Sequence, residues 1–212
     1  GLAVRLIAEE SPGGLVPAAR RIDNLLGYPP GSGRAWCVLA APQLAPLASC
    51  ITIATASAVV WQDGLYHVSA ADLRIRSRCL ILATGTEPAP FHVDLPPSPR
   101  LHRDPRRLPE ELRGQRVAVI GGGEAAVDGA LCALDRHAEV RLFARGAALA
   151  ASPTLLAEAR KRNLRHYTNA QPISLESSAD AWHLSFSGPL SWTAQHLLVA
   201  VGRRPRLALL DT

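Results

Sequence analysis

Apolar residues along this chain fall into short runs separated by clusters of Gly, Pro and charged residues. Runs of that kind predict short strands and helices rather than long amphipathic elements. Residues 4–8 predict a strand, closed by the loop Glu9-Glu10-Ser11-Pro12-Gly13-Gly14. A second loop, Gly27-Tyr28-Pro29-Pro30-Gly31-Ser32-Gly33, precedes an Ala- and Leu-rich stretch that predicts a helix over 34–48 despite Pro42 and Pro46. Strands follow over 50–54, 58–61 and 65–70, the last two joined by Asp63-Gly64 as a hairpin turn. The run 78–83 reads as the cleanest strand of this half and ends at Thr84-Gly85.

From 87 to 115 the pattern breaks, because Pro88, Pro90, Pro96, Pro97, Pro99, Pro105 and Pro109 interrupt any regular element. The stretch is also basic, with Arg100, Arg103, Arg106, Arg107 and Arg113 against Asp104, Glu110 and Glu111, and is expected to be a solvated linker. Beyond it the alternation becomes that of an α/β unit. It predicts a strand over 116–120, a glycine turn, a helix over 125–136 and a strand over 139–143. After these come a helix over 154–162, a strand over 164–168, an antiparallel pair over 173–177 and 182–187, and a last strand over 196–201.

The glycine turn carries the clearest chemistry. Val117-Ala118-Val119-Ile120-Gly121-Gly122-Gly123-Glu124-Ala125-Ala126 is a strand, a G-x-G-x-x-A turn and the start of a helix. In that setting Gly121 makes the tight turn, Gly123 lets backbone approach a pyrophosphate, and Ala126 permits helix and strand to pack closely. Phosphates sit well at a helix N-terminus, where amides lack intrahelical partners and the dipole favours an anion. The end of the following strand separates NAD from NADP. An acid there bonds the ribose hydroxyls of NAD, whereas an Arg accommodates the 2′-phosphate of NADP. Here the segment reads Val140-Arg141-Leu142-Phe143-Ala144-Arg145-Gly146. It contains Arg145 and no acid, so NADPH is expected to be favoured over NADH.

Composition narrows the remaining classes. With 212 residues, 48% hydrophobic, 19% charged and a mean hydropathy of +0.07, the chain can bury a core and make one domain or two small ones. No apolar run approaches the ~20 residues a spanning helix needs, so a soluble cytoplasmic protein without membrane contact is expected. Cys37, Cys50, Cys79 and Cys132 form no C-x-x-C and are expected as buried, reduced thiols. The net charge of +5 comes with a single lysine, Lys161, and without a recognition motif, which leaves nucleic acid an unsupported partner. The histidines are scattered, so no metal site is expected, and no side chain stands out by spacing as a general acid or base. Methionine is absent and the first residues read as strand interior, which predicts a fragment of a longer chain.

Two apolar runs end alike, Leu80-Ile81-Leu82-Ala83-Thr84-Gly85 and Leu197-Leu198-Val199-Ala200-Val201-Gly202-Arg203-Arg204-Pro205, and they bracket the glycine turn. In that order, and with Pro12-Gly13-Gly14-Leu15, Ile22-Asp23-Asn24 and Gly27-Tyr28-Pro29 near the start, the chain resembles the thioredoxin reductase-like flavoprotein reductases. Nothing here matches the C-x-x-C that thioredoxin reductases place before the NADPH strand; the segment reads Leu101-His102-Arg103-Asp104-Pro105-Arg106-Arg107. The chain is therefore more similar to the thioredoxin-reductase-type ferredoxin–NADP reductases.

The resemblance implies an α/β protein of two Rossmann-like, three-layer nucleotide-binding domains, with the NAD(P) domain inserted into an FAD-type domain. Residues 1–87 would be part of the FAD-type domain, 88–111 the Pro/Arg-rich linker, 112–203 the NAD(P) domain and 204–212 the return. The family's first strand and FAD glycine turn would precede Gly1 and its closing Gly-Asp segment would follow Thr212, so the chain as written would not complete an FAD site. Glu9 or Glu10 would bond the FAD ribose. Gly13, Gly14 and Asn24 would lie along the flavin, and Thr84 and Gly85 would pass beside it. Gly121, Gly123, Glu124, Ala126 and Arg145 would line the NAD(P)H site, with Gly202 and Arg203 at its exit. The implied activity is that of a homodimeric flavoprotein that takes hydride from NAD(P)H onto FAD. Electrons would pass to a small molecule or small redox protein rather than a protein disulfide. The other reading left open is a nucleotide-binding or redox-sensing module without turnover.

Overall fold

The computed structural model describes residues 2–210, which divide into two compact units. One runs to Glu87 and resumes at Pro205; the other is Pro88–Arg204. Residues 211 and 212, the end of the expected return segment, lie outside the described residues.

The Pro88–Arg204 unit is a three-layer α/β fold. Its central sheet is parallel throughout, in the order Arg165–Tyr167, Glu139–Phe143, Arg116–Ile120, His196–Val199, Leu101–His102. Successive side chains of a strand point to opposite faces. Here Val117, Val119, Val140 and Leu142 join a core with Ala126, Ala130 and Leu131 of the helix Glu124–Asp135. The helix Pro153–Lys161 contributes Ala159 to the same core. The alternate residues Ala118, Ile120, Phe143, Leu197 and Val199 meet the opposite layer. That layer is an antiparallel meander of Pro172–Ser177, Trp182–Phe186 and Ser191–Ala194, which supplies Trp182, Leu184, Phe186 and Trp192. Both faces are therefore covered, which is why the strands read as continuous apolar runs. Phe143 sits at the centre of the second core, stacked on Phe186 with ring centroids 4.2 Å apart and on Tyr167 at 5.2 Å.

The other unit has a parallel pair, Leu6–Ala8 with Ile51–Ile53, and a three-stranded antiparallel sheet of Ala56–Gln62, Leu65–Ala70 and Leu73–Ser77. Asp63 and Gly64 both take positive φ (51° and 75°), the conformation that a two-residue turn needs to follow the strand twist. The helix Gly33–Leu44 begins at Ser32, whose hydroxyl accepts from the Ala35 amide at 3.1 Å. At each end of the Pro88–Arg204 segment the chain is tied locally. The Ala89 amide donates to the Gly202 carbonyl within that unit, at 3.0 Å, and the Arg206 amide donates to the Gly85 carbonyl within the other, at 3.1 Å.

Several expectations are corrected. Residues 78–83 form no strand: a strand needs a ladder partner, none pairs with them among the described residues, and Ile81 is 89% exposed. The stretch 88–111 is not a solvated linker. It holds the edge strand Leu101–His102 and the 3-10 turn Pro105–Arg107, and it buries Leu108 in the helix-side core. Proline excludes helix but not a two-residue edge strand. The predicted helix over 34–48 stops at Leu44 and tightens into the 3-10 turn Ala45–Cys50, because Pro42 and Pro46 each remove an amide from the ladder. The last strand stops at Val199, and the meander has a third strand, Ser191–Ala194, too short to stand apart in the sequence. None of the cysteines is fully buried and Cys79 is exposed; no disulfide joins them. Among the described residues no helix is long and apolar enough to cross a membrane.

Candidate functional site

The strand Arg116–Ile120 delivers the chain to Gly121 at the carboxyl edge of the parallel sheet, where ligands of open α/β folds bind. Gly121 has φ of +141°, and a Cβ there would lie 2.2 Å from the Ala200 carbonyl oxygen and 3.0 Å from the Ala126 Cβ. No other residue fits. A Cβ on Gly122 would lie 3.0 Å from the Ala144 Cβ. Gly123 differs: its backbone is extended, and a Cβ would meet nothing nearer than the Ala150 oxygen at 4.0 Å. The first glycine is thus imposed by the protein's own packing, whereas the third leaves open space.

That space lies at the start of the helix Glu124–Asp135. Gly123 is its N-cap and offers no side chain to the first-turn amides, while its carbonyl accepts from Ala126 and Val127. A helix N-terminus without a side-chain cap and room beside Gly123 together fit a pyrophosphate. Ala126 is completely buried, as close packing requires. Farther along the helix a Cβ on Gly129 would come within 2.7 Å of Leu198 Cδ2, so this glycine also sets the helix-to-sheet distance, which the motif alone did not indicate.

A loop over 144–152 borders the turn. Its near end is bound to the next strand and the segment after it: Ala144 N donates to Tyr167 O (2.8 Å), Ala170 N to Ala144 O (2.9 Å) and Asn169 N to Gly146 O (2.9 Å). Arg145, between these anchored residues, is exposed. Its far end is bound to the turn itself, with Ala150 N donating to Gly122 O at 2.7 Å and Ser152 N to Glu124 Oε1 at 2.6 Å. Arg141, the other arginine of that segment, points elsewhere. Its guanidinium lies 4.8 Å from the Trp192 ring centroid and 3.6 Å from Glu139 Oε1.

In the other unit Arg206 draws together three of the expected residues. Its guanidinium pairs with Glu9 at 3.0 Å, its carbonyl accepts from Thr84 Oγ1 at 2.8 Å, and its amide binds Gly85. Leu82, Thr84, Gly85, Pro205 and Arg206 line a cavity of about 200 Å³ there. Sequence reasoning missed Arg206, which lies 122 residues from Thr84. Gly13 and Gly14 both take positive φ (130° and 50°), and Gly13 borders a separate apolar cavity of about 460 Å³ with Trp36, Cys37 and Leu44. Glu10 and Asn24 are exposed, as are Gly202 and Arg203. Among the described residues this unit has no strand running through a glycine turn into a helix: Gly13-Gly14 leads only to the 3-10 turn Val16–Ala18, and the glycine loop before the helix Gly33–Leu44 follows no strand. A dinucleotide therefore fits the Pro88–Arg204 unit, while the described residues of the other unit lack an element for the FAD pyrophosphate.

A polar cluster that the sequence concealed lies at the opposite, amino edge of the parallel sheet. His102 Nε2 and His196 Nδ1 are 3.0 Å apart, and His196 Nε2 lies 2.8 Å from Gln115 Oε1. Both rings are buried. Burial first, and then the neighbouring His196, lowers the His102 pKa to about 4; burial and Arg100 lower that of His196.

Residues 44–212 match the family described as pyridine nucleotide-disulphide oxidoreductase. A ferredoxin–NADP reductase of Limosilactobacillus fermentum is 30% identical over 123 residues; the match takes in 56% of this chain and only 37% of that relative's length. In three dimensions the chain is similar to thioredoxin reductases of T. acidophilum (TM-score 0.86, 18% identity, 100% of this chain and 72% of that one) and Lactococcus lactis (0.85, 18%, 99% and 73%). It also resembles a bacillithiol disulfide reductase of Bacillus cereus (0.80, 15%, 100% and 74%).

Proposed function

Because the chain belongs to the pyridine nucleotide-disulphide oxidoreductase family, we propose that its Pro88–Arg204 unit binds and orients NADPH for hydride transfer in an FAD-dependent oxidoreductase. The observation that carries this reading is the pairing of a glycine demanded by packing, Gly121, with an open one, Gly123, at an uncapped helix N-terminus. FAD supplies the two-electron chemistry of such enzymes when bound. This chain's part is to hold the pyrophosphate on the first-turn amides and the adenosine end near Arg145. Glu9, Gly13, Gly14, Thr84 and Gly85 would contribute to the flavin side, and Gly202 and Arg203 to the nucleotide exit. The Leu101-His102 segment in place of a cysteine pair supports an acceptor other than a protein disulfide, either a small molecule or a small redox protein.

Arg145 carries the cofactor preference. A guanidinium holds a 2′-phosphate bidentately, and one charge-assisted contact contributes ~1.5–3 kcal/mol, roughly ten- to a hundredfold in affinity. NADPH is expected to bind that much more tightly than NADH, and Arg145→Ala to erase the difference. Equal affinities in the parent, or a preference that survives the substitution, would overturn the assignment. The second reading is a nucleotide-binding or redox-sensing module without turnover. Flavin absorbance of the purified protein separates the two. NADPH binding with flavin supports the oxidoreductase, NADPH binding without it supports the module, and no nucleotide binding overturns both.

A further inference from the structure

We propose that Glu124 is a positioning residue: it latches the 144–152 loop onto the glycine turn and so fixes where Arg145 stands, making the NADPH preference depend on a side chain that need not touch the 2′-phosphate. This rests on the assignment of Arg145 to that phosphate. Glu124 opens the phosphate-facing helix, yet its Oε1 accepts from the Ser152 amide at 2.6 Å, so its carboxylate is engaged by protein backbone. A backbone amide held by a carboxylate is a charge-assisted bond, about twice as strong as a neutral one. Ser152 is in turn the N-cap of Pro153–Lys161, its hydroxyl accepting from Leu155, so the latch joins the starts of two helices.

The rest of the loop explains why one bond at its far end matters for Arg145. At the near end, Ala144 and Gly146 on either side of Arg145 are held by Tyr167, Asn169 and Ala170. At the far end the loop is held by the Ala150–Gly122 bond and by Glu124. Residues 147–149, between the two anchorages, have no such tie to the turn among the hydrogen bonds of the described residues. Releasing Ser152 leaves the Ala150–Gly122 bond as the far end's remaining hydrogen bond to the turn, so the loop that follows Arg145 loosens beyond its near-end anchors. A guanidinium that must meet a phosphate in bidentate geometry loses part of that contact when the loop following it no longer holds its place.

The test compares Glu124→Ala with Glu124→Gln, which keeps an acceptor for Ser152 but drops the charge. Two readouts are needed. Hydrogen exchange of amides 145–152, measured without nucleotide, should quicken about tenfold or more in the alanine variant and stay within about threefold of the parent in the glutamine variant. The ratio of NADPH to NADH affinity, from titration, should fall at least about fivefold in the alanine variant and be largely retained in the glutamine variant. Removing a negative charge near the pyrophosphate alters both cofactors alike, so a purely electrostatic role leaves the ratio unmoved in both variants and overturns the proposal. Unchanged exchange in Glu124→Ala overturns it as well. Absence of any NADPH preference in the parent overturns the Arg145 assignment and the cofactor half of this proposal together, while loop exchange still decides whether Glu124 is the latch.

Discussion

Lowering the pH through the range 6.5 to 4 should weaken the Pro88–Arg204 unit through its buried histidine pair. Gln115 Oε1 accepts from His196 Nε2–H, which leaves His196 Nδ1 to accept from His102 Nε2–H when both rings are neutral. A proton added to His196 would set N–H against N–H near Arg100, and one added to His102 would place charge beside His196 and Arg136 in a buried site. A hydrogen bond with the Arg107 backbone pulls the other way without prevailing. The folded pKa of His102, about 4, lies below the ordinary histidine value of 6.5. The unfolded state therefore binds protons first. The stabilisation is complete above about pH 6.5 and lost as the pH falls toward 4.

The shift corresponds to a ceiling of about 3 kcal/mol for His102, at 1.36 kcal/mol per unit, and His196 adds in the same direction. Asp104 does not confuse the window. Burial works against its ionised form, but hydrogen bonds from the Arg106 side chain and backbone hold its pKa below 3.8, so its contribution is lost at still lower pH. Urea unfolding at intervals from pH 7.5 to 4.5 checks this, with a His102→Asn variant as control. The parent's midpoint should fall with acid and the variant's should fall less. Parallel curves, or a parent as stable at pH 4.5 as at 7, would refute the reasoning.

Gly121→Ala forces a Cβ to within 2.2 Å of a backbone oxygen at a positive φ, and should cost about 3 kcal/mol or more and abolish nucleotide binding; thermal unfolding with NADPH titration reads both. Phe143→Ala removes a fully buried ring stacked between Phe186 and Tyr167 and should cost about 3–5 kcal/mol in denaturant unfolding. Replacing Cys37, Cys50, Cys79 and Cys132 together by Ser or Ala should leave NADPH oxidation intact in folded protein with bound flavin, and its loss there would show that a thiol takes part.

The Rossmann-like unit was legible because its local signals agree with one another. Arg116–Ile120 and Glu139–Phe143 are strands over the expected residues, and the helix between them starts one residue early. Their apolar runs, turn glycines and helix formers lie within thirty residues of sequence, where periodicity can be read. What was not legible depends on partners far away in the chain. The run 78–83 has the composition of a strand but no described neighbour to pair with, so composition misled. Ser191–Ala194 alternates polar and apolar residues, but its four residues run nearly straight into the next strand and are too few for the pattern to stand apart. Within the candidate site, Gly121 and Ala126 could be read from the motif. The Ser152 latch and the Arg206 cluster could not, since hydrogen bonds that close 28-residue and 197-residue separations leave no local pattern.

The hydrogen bond from Ala89 to Gly202 means that the Pro88–Arg204 unit leaves and re-enters the chain at nearly one point. For the remaining unit, a folded insert of about 120 residues then counts as a turn of only a few. Loop-closure entropy grows as ~(3/2)RT ln n, so folding the insert first lowers the entropic cost of bringing Arg206 back to Thr84, Gly85 and Glu9 by about 3 kcal/mol. The exposed ion pair between Arg206 and Glu9 could not overcome that cost alone. Assembly should accordingly be ordered, with the Pro88–Arg204 insert forming first and the contacts around Arg206 closing only once its two ends have met.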